Sequence, residues 1–213
     1  MIDTKKLFDK LRNFILYAKE NPEVSKQVSE DGRLYLNIQS CWHMADKNDE
    51  AKARFYFLFP LFYVLIYLAD KNKQKIWNEY FNMLWQQRTR HKTFKSVLEE
   101  LCELTDEVHA SYASKLVATV DENKPVIDSH VKKVLGIHEA YVYWTNDKKI
   151  RYWDDVYSKI VKKYKELSDL IAEDKVTIET LFNSVWPELQ GMTLTKKIDH
   201  LIWEIGKQRN SKK

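Results

Sequence analysis

Residues 147–172 read DKKIRYWDDVYSKIVKKYKELSDLIA, with Tyr152, Trp153, Val156, Ile160, Val161, Tyr164 and Leu167 recurring among charged neighbours at helical spacing. Apolar residues every three or four positions put one stripe along a long helix, and such a stripe has to lie against other helices. The same period appears on both sides. Leu7, Leu11, Phe14, Ile15 and Ala18 follow Asp3, which predicts a capped first helix ended by Asn21-Pro22. Ile76, Trp77, Tyr80, Phe81, Leu84 and Trp85 form another stripe, and Thr93 opens one with Val97, Leu98, Leu101 and Leu104. Thr105 or Asp106 is expected to cap a helix turning Val108, Tyr112, Leu116, Val117 and Val120 inward. Two last helices are predicted near Ile178 to Val185 and Thr195 to Lys207.

Two segments are less regular. Pro22 predicts a short second helix that stops before Asp31-Gly32, and Leu34, Leu36 and Ile38 then alternate as in a short strand. Phe55 to Ala69, FYFLFPLFYVLIYLA, carries no charge. A bilayer span needs about 20 apolar residues, and Lys52, Arg54, Asp70 and Lys71 flank this run while Pro60 interrupts it. It is expected to be a central buried helix, bent or started at Pro60, and not a membrane segment.

Composition agrees with helices. Hydrophobic residues make up 44% and charged residues 31% of the 213, the mix of a folded chain. With four glycines and four prolines the chain cannot supply the tight turns of an all-β fold, nor a glycine-rich phosphate loop. The predicted fold is all-α, about ten helices without significant sheet, as one helical domain over residues 1–213 or two lobes sharing a core around 55–69. Residues 210–213 are expected to be a disordered tail. Cys41 and Cys102 are far apart and outside any C-x-x-C pair, so no metal or other cofactor is expected. The opening MIDTKKLFDKLRNF is charged throughout, unlike a signal peptide, which suggests a cytoplasmic protein. The formal charge of +4 permits an anionic partner.

One segment carries a chemical signal. Lys124 to Gly136 reads KPVIDSHVKKVLG. An apolar residue precedes Asp128, and a helix of polar, valine and paired basic residues follows it, closed by glycine. An aspartate at a helix start is held by first-turn N–H groups, which fix its direction and favour its ionised form. Asp is also a preferred N-cap for purely local reasons, so the residue types alone leave both readings open.

The segment is similar to the stretch bearing the catalytic aspartate in helix-hairpin-helix DNA glycosylases. The resemblance maps that aspartate onto Asp128 and implies an all-helical glycosylase-like fold, DNA as partner and hydrolysis of a base–sugar bond. Asp128 would stabilise the cationic sugar and position water. The alternative is a catalytically inactive relative that binds DNA or a protein. In the family a glycine hairpin donates N–H groups to a DNA phosphate, whereas here the equivalent stretch, Leu104 to Ala110, has no glycine and carries Asp106 and Glu107. Bifunctional members carry a nucleophilic lysine on the helix after the hairpin. Matching Ala113-Ser114 to that helix puts Tyr112 at the lysine position, with Lys115 almost one turn on and able to approach the same face. The stretch Lys197 to Lys207 resembles a pattern of uncharacterised proteins of this fold, an Asp followed by Trp and then Gly-Lys. The iron–sulfur cluster of some members needs four cysteines, and this chain has two.

Basic residues cluster at Arg88, Arg90, His91, Lys92 and Lys95, at Lys132 and Lys133, and at Lys148, Lys149 and Arg151. If they converge on Asp128 they form a phosphate track. Trp85, Tyr141, Tyr143 and Trp144 offer faces on which an extruded base can stack.

Overall fold

The computed structural model describes residues 1–63, 71–90, 92–174 and 177–208, with residues 71–76 described in backbone only. The described residues form ten α-helices and no strand. In chain order these are α1 (Thr4–Glu20), α2 (Pro22–Met44), α3 (Asp49–Phe62), α4 (Lys71–Arg90) and α5 (Phe94–Thr105). They continue as α6 (Ala110–Val120), α7 (Ser129–Leu135), α8 (Asn146–Glu173), α9 (Ile178–Val185) and α10 (Leu194–Gln208). None of the described helices is long and apolar enough to cross a membrane.

Polar caps set the helix starts. Asp3 accepts from Lys6 N at 3.1 Å, Asn48 from Ala51 N at 3.0 Å, Thr93 from Ser96 N at 3.2 Å and Thr177 from Thr180 N at 3.0 Å. Each such cap stabilises its helix by about 1 kcal/mol. The long stripe of α8 buries Ile150, Trp153, Val156, Tyr157, Ile160, Tyr164, Leu167 and Ile171.

Four local expectations are corrected. The break at Asp31-Gly32 and the strand after it are absent, because α2 runs on to Met44. Gly32 sits inside the helix to make room for a neighbour: a Cβ there would stand 2.5 Å from Leu189 Cδ1. α2 packs against α1, α3, α10 and the 3-10 turn at Pro187–Leu189, so its apolar residues fall on several sides and mimic alternation. α6 begins at Ala110 without a side-chain cap, not at Thr105 or Asp106. Pro60 lies in the last turn of α3, whose described part is one-sided: Phe55 and Phe59 are fully buried, but Phe57 is 67% and Leu61 58% exposed. Residues 64–69 of the expected central run, His91 and the tail at 210–213 lie outside the described residues.

The fourth correction concerns the middle of the molecule, which is α10. α1, α2, α7, α8 and α9 all pack on it, and Lys196 through Ile202 are buried without a break. The stretch carries charges, which a buried helix tolerates only when each is paired. Lys196 meets Asp199 at 2.9 Å, Lys197 meets Glu179 at 2.7 Å and Lys207 meets Asp31 at 2.7 Å.

Glu204 completes this set differently. It is 1% exposed, and burial raises its pKa to about 8, opposed by the charge of Lys207 and reinforced by that of Asp31. Its folded pKa lies above the value of about 4.3 for an unfolded glutamate. Between those values the native state holds a proton that the unfolded state has released, so stability falls as pH rises through that window and levels off above about 8. Glu204→Gln keeps the shape without the ionisation. It is expected to raise stability at pH 7 by on the order of 2 kcal/mol and to flatten the pH dependence of the urea midpoint between pH 5 and 8.

Candidate functional site

The segment that leads to Asp128 is an extended, buried piece of chain. Buried backbone without regular structure must find partners among side chains, and three helices supply them. From α6, Ser114 Oγ accepts from Ile127 N at 2.8 Å while donating to Ser111 O at 2.9 Å. From α8, Tyr157 donates to Pro125 O at 3.3 Å. From α10, Lys196 Nζ donates to Lys124 O at 2.7 Å, and Asp199 accepts from Val126 N at 3.2 Å.

Asp199 is the hub of this set. Besides Val126 N it accepts from Tyr164 at 2.6 Å and from Lys196 at 2.9 Å. Burial pushes its carboxyl upward, opposed by the Lys196 charge and by the Tyr164 and Val126 donors. The next residue, His200, donates through Nε2 to Val28 O at 2.8 Å, and burial lowers its pKa, keeping it neutral.

Asp128 follows this clamped segment as the N-cap of α7, accepting from Val131 N at 2.7 Å. Gly136 closes the helix in the left-handed conformation at φ 66°, as its place after Leu135 predicts. α7 lies directly on α10 because Gly206 has no side chain there. A Cβ at Gly206 would stand 2.6 Å from His130 Cβ and 2.8 Å from His130 O.

In front of Asp128 opens a cavity of about 490 Å³, within the usual range for small-molecule sites. Aromatic rings of Tyr35, Phe62, Tyr63, Tyr112 and Trp203 line it, together with Lys115, Lys132, Lys196 and Asp199. Lys115 is only 6% exposed. Its Nζ donates to Tyr63 O at 3.1 Å and lies 5.3 Å and 5.8 Å from the Tyr63 and Tyr112 ring centroids. Burial lowers its pKa to about 8, only partly opposed by the charge of Asp128. The shift favours the free amine, the form that attacks carbonyl carbon, relative to an ordinary lysine.

The structure thus brings together Asp128, Lys115 and Lys132. Lys133 is adjacent to Lys132 on the exposed side of α7. Arg88, Arg90, Lys92 and Lys95 are not among the residues lining the cavity. Arg88 is held elsewhere: its guanidinium lies 3.8 Å from the Trp42 ring centroid and bonds Asp46 and Trp42 O. Lys92 pairs with Glu100, Lys95 with Glu99, and Arg90 bonds Gln86 at 2.9 Å. Lys132 pairs with Glu139 at the rim.

The turn between α5 and α6 does not offer a phosphate cradle. Asp106 takes the left-handed conformation (φ 56°) that glycine would adopt freely. Its N–H is spent on Cys102 O at 2.8 Å and that of Glu107 on Thr105 Oγ1 at 3.2 Å.

Sequence reading had missed the hub. The signal was present in the Asp-Trp-Gly-Lys pattern of α10, whose parts now have roles. Asp199 clamps the chain before Asp128, Trp203 walls the cavity, Gly206 admits α7, and Lys207 ties α10 to Asp31 on α2. No family model, characterised protein or solved structure matches the chain, so its functional reading rests on the chemistry of this cavity.

Proposed function

We propose that the protein hydrolyses the bond between a base and its sugar in DNA, acting on a nucleotide extruded into the cavity. The observation that carries this reading is Asp128, fixed at the start of α7 on the wall of a cavity of about 490 Å³ that also holds Lys115. As the bond to the base breaks, positive charge builds on the sugar, and a fixed carboxylate facing it lowers the barrier. The same carboxylate orients the attacking water. Aromatic walls receive the flat base. Lys115 adds a cation beside the leaving base, and in its neutral form an amine able to condense with the aldehyde of an abasic sugar.

The test is release of base from a panel of DNA substrates carrying damaged or mismatched bases. The wild-type protein is expected to release at least one of them. Asp128→Asn should lower that rate by about a hundredfold or more, with an unchanged far-UV circular dichroism spectrum. Borohydride trapping on abasic DNA should yield a covalent adduct that is lost in Lys115→Ala if the amine reacts. Release unaffected by Asp128→Asn would refute the assignment.

A second reading, DNA binding without catalysis, is favoured by the α5–α6 turn, where two carboxylates stand and the amides are already bonded. On that reading DNA binds in a salt-dependent way, no base is released, and Asp128→Asn changes nothing.

A further inference from the structure

The turn between α7 and α8 exposes an apolar, aromatic tip: Tyr141 is 57%, Val142 91% and Tyr143 81% exposed. Large apolar residues left together in water mark a contact surface. This tip is held in shape. Tyr141 and Tyr143 stack at 5.4 Å, and Tyr141 meets Trp144 edge-on at 5.0 Å. Trp144 meets Tyr152 at 5.6 Å, and Tyr152 meets the buried Trp153 at 5.2 Å. Tyr152 also donates to His138 O at 2.6 Å, tying the loop to α8. The rings therefore form a continuous ladder from solvent to Trp153.

The foot of the ladder meets the cavity. Trp153 lines a smaller hollow of about 190 Å³ with Ser111, Tyr112 and Lys132, and those three residues also line the main cavity. Cations sit on the rings: Lys148 Nζ lies 4.4 Å from the Trp144 centroid and Lys132 Nζ 5.5 Å from that of Trp153. From residue 132 to 151 there are five lysines and arginines against two carboxylates.

Exposed, pre-positioned π faces flanked by cations fit a partner that has both π faces and negative charge. Single-stranded nucleic acid has both, whereas a duplex hides its base faces by stacking and pairing. We infer that the exposed end of the ladder, Tyr141 and Tyr143, is a stacking platform for unpaired bases of DNA, and that it directs the site towards single-stranded or looped-out stretches. The inference rests on the DNA reading of the cavity and adds the class of substrate.

Fluorescence anisotropy tests it, with a labelled oligothymidylate and a blunt duplex of equal length at low salt. The wild-type protein is expected to bind the single strand about tenfold or more tightly than the duplex. Tyr141→Ala/Tyr143→Ala should weaken single-strand binding by about ten- to a hundredfold and leave duplex binding unchanged. Tyr141→Phe/Tyr143→Phe should retain it, because stacking needs the ring and not the hydroxyl. Both residues are exposed, so folding should survive, which circular dichroism checks. Equal binding by wild type and the alanine variant overturns the inference. So does an equal loss in the phenylalanine variant, or binding to anionic lipid vesicles in place of DNA. Asp128-dependent base release with an indifferent ladder removes the platform alone. Ladder-dependent binding without base release from any substrate upholds the platform and removes the enzymatic reading alone.

Discussion

Asp199→Ala is expected to cost about 3–5 kcal/mol, the usual loss when one partner of a buried ion pair is removed. The side chain of Lys196 is only 4% exposed, and without Asp199 its ammonium keeps Lys124 O as a partner but has no counter-charge. The Tyr164 hydroxyl and the Val126 N–H lose their acceptor in the same step. Domains are stable by about 5–15 kcal/mol, so this single change removes a large share of the total. Urea denaturation should show a lower midpoint with an unchanged slope. A double change, Asp199→Leu with Lys196→Met, removes both charges and should recover part of the loss. Recovery of stability without recovery of base release would identify the pair as the device that positions Asp128, since the apolar pair cannot hold Lys124 O and Val126 N.

Gly206→Val should be of similar size, about 3 kcal/mol. The contacts a side chain would make there are not with a flexible tip. They are with His130 Cβ at 2.6 Å, His130 O at 2.8 Å and His130 Cα at 2.9 Å, so α7 itself has to move. Any gain from replacing a helical glycine is at most about 1 kcal/mol. Gly191→Ala is the control: nothing lies within 4 Å of a Cβ there, and its effect should stay within about 0.5 kcal/mol. Thermal unfolding of both variants checks the comparison. In Gly206→Val the displaced α7 also carries Asp128 away from the cavity wall, so activity should fall further than stability does.

Much of the fold is legible in the sequence because most helices are either one-sided or bounded by caps. The stripe of α8 and the place of α9 follow from spacing, and the limits of α7 from Asp128 and Gly136. Legibility ends where a helix has neighbours on many sides. α2 looked broken because it serves several partners, and the charges of α10 are buried in pairs that spacing does not reveal. Asp128 was visible through its capping position and Lys115 through its place along α6, both local features. Their convergence on one cavity was not visible, since it depends on Ser114, Tyr157, Lys196 and Asp199 reaching one stretch of backbone from three helices. No period in a sequence encodes that meeting. The basic run at Arg88 to Lys95 shows the converse: charge counts suggested a track, but Arg88 is taken up by Trp42 and Asp46.

The central claim, that Asp128 faces and stabilises a cationic sugar, can be measured without knowing the base. Two oligonucleotides are compared, one carrying a protonated pyrrolidine ring in place of a single sugar and one carrying neutral tetrahydrofuran. The wild-type protein should bind the charged ring about a hundredfold more tightly, as expected of a mimic of the reacting state, and Asp128→Asn should abolish that preference while folding is kept. Equal affinity for the two rings, or a preference that survives Asp128→Asn, would take Asp128 out of the chemistry.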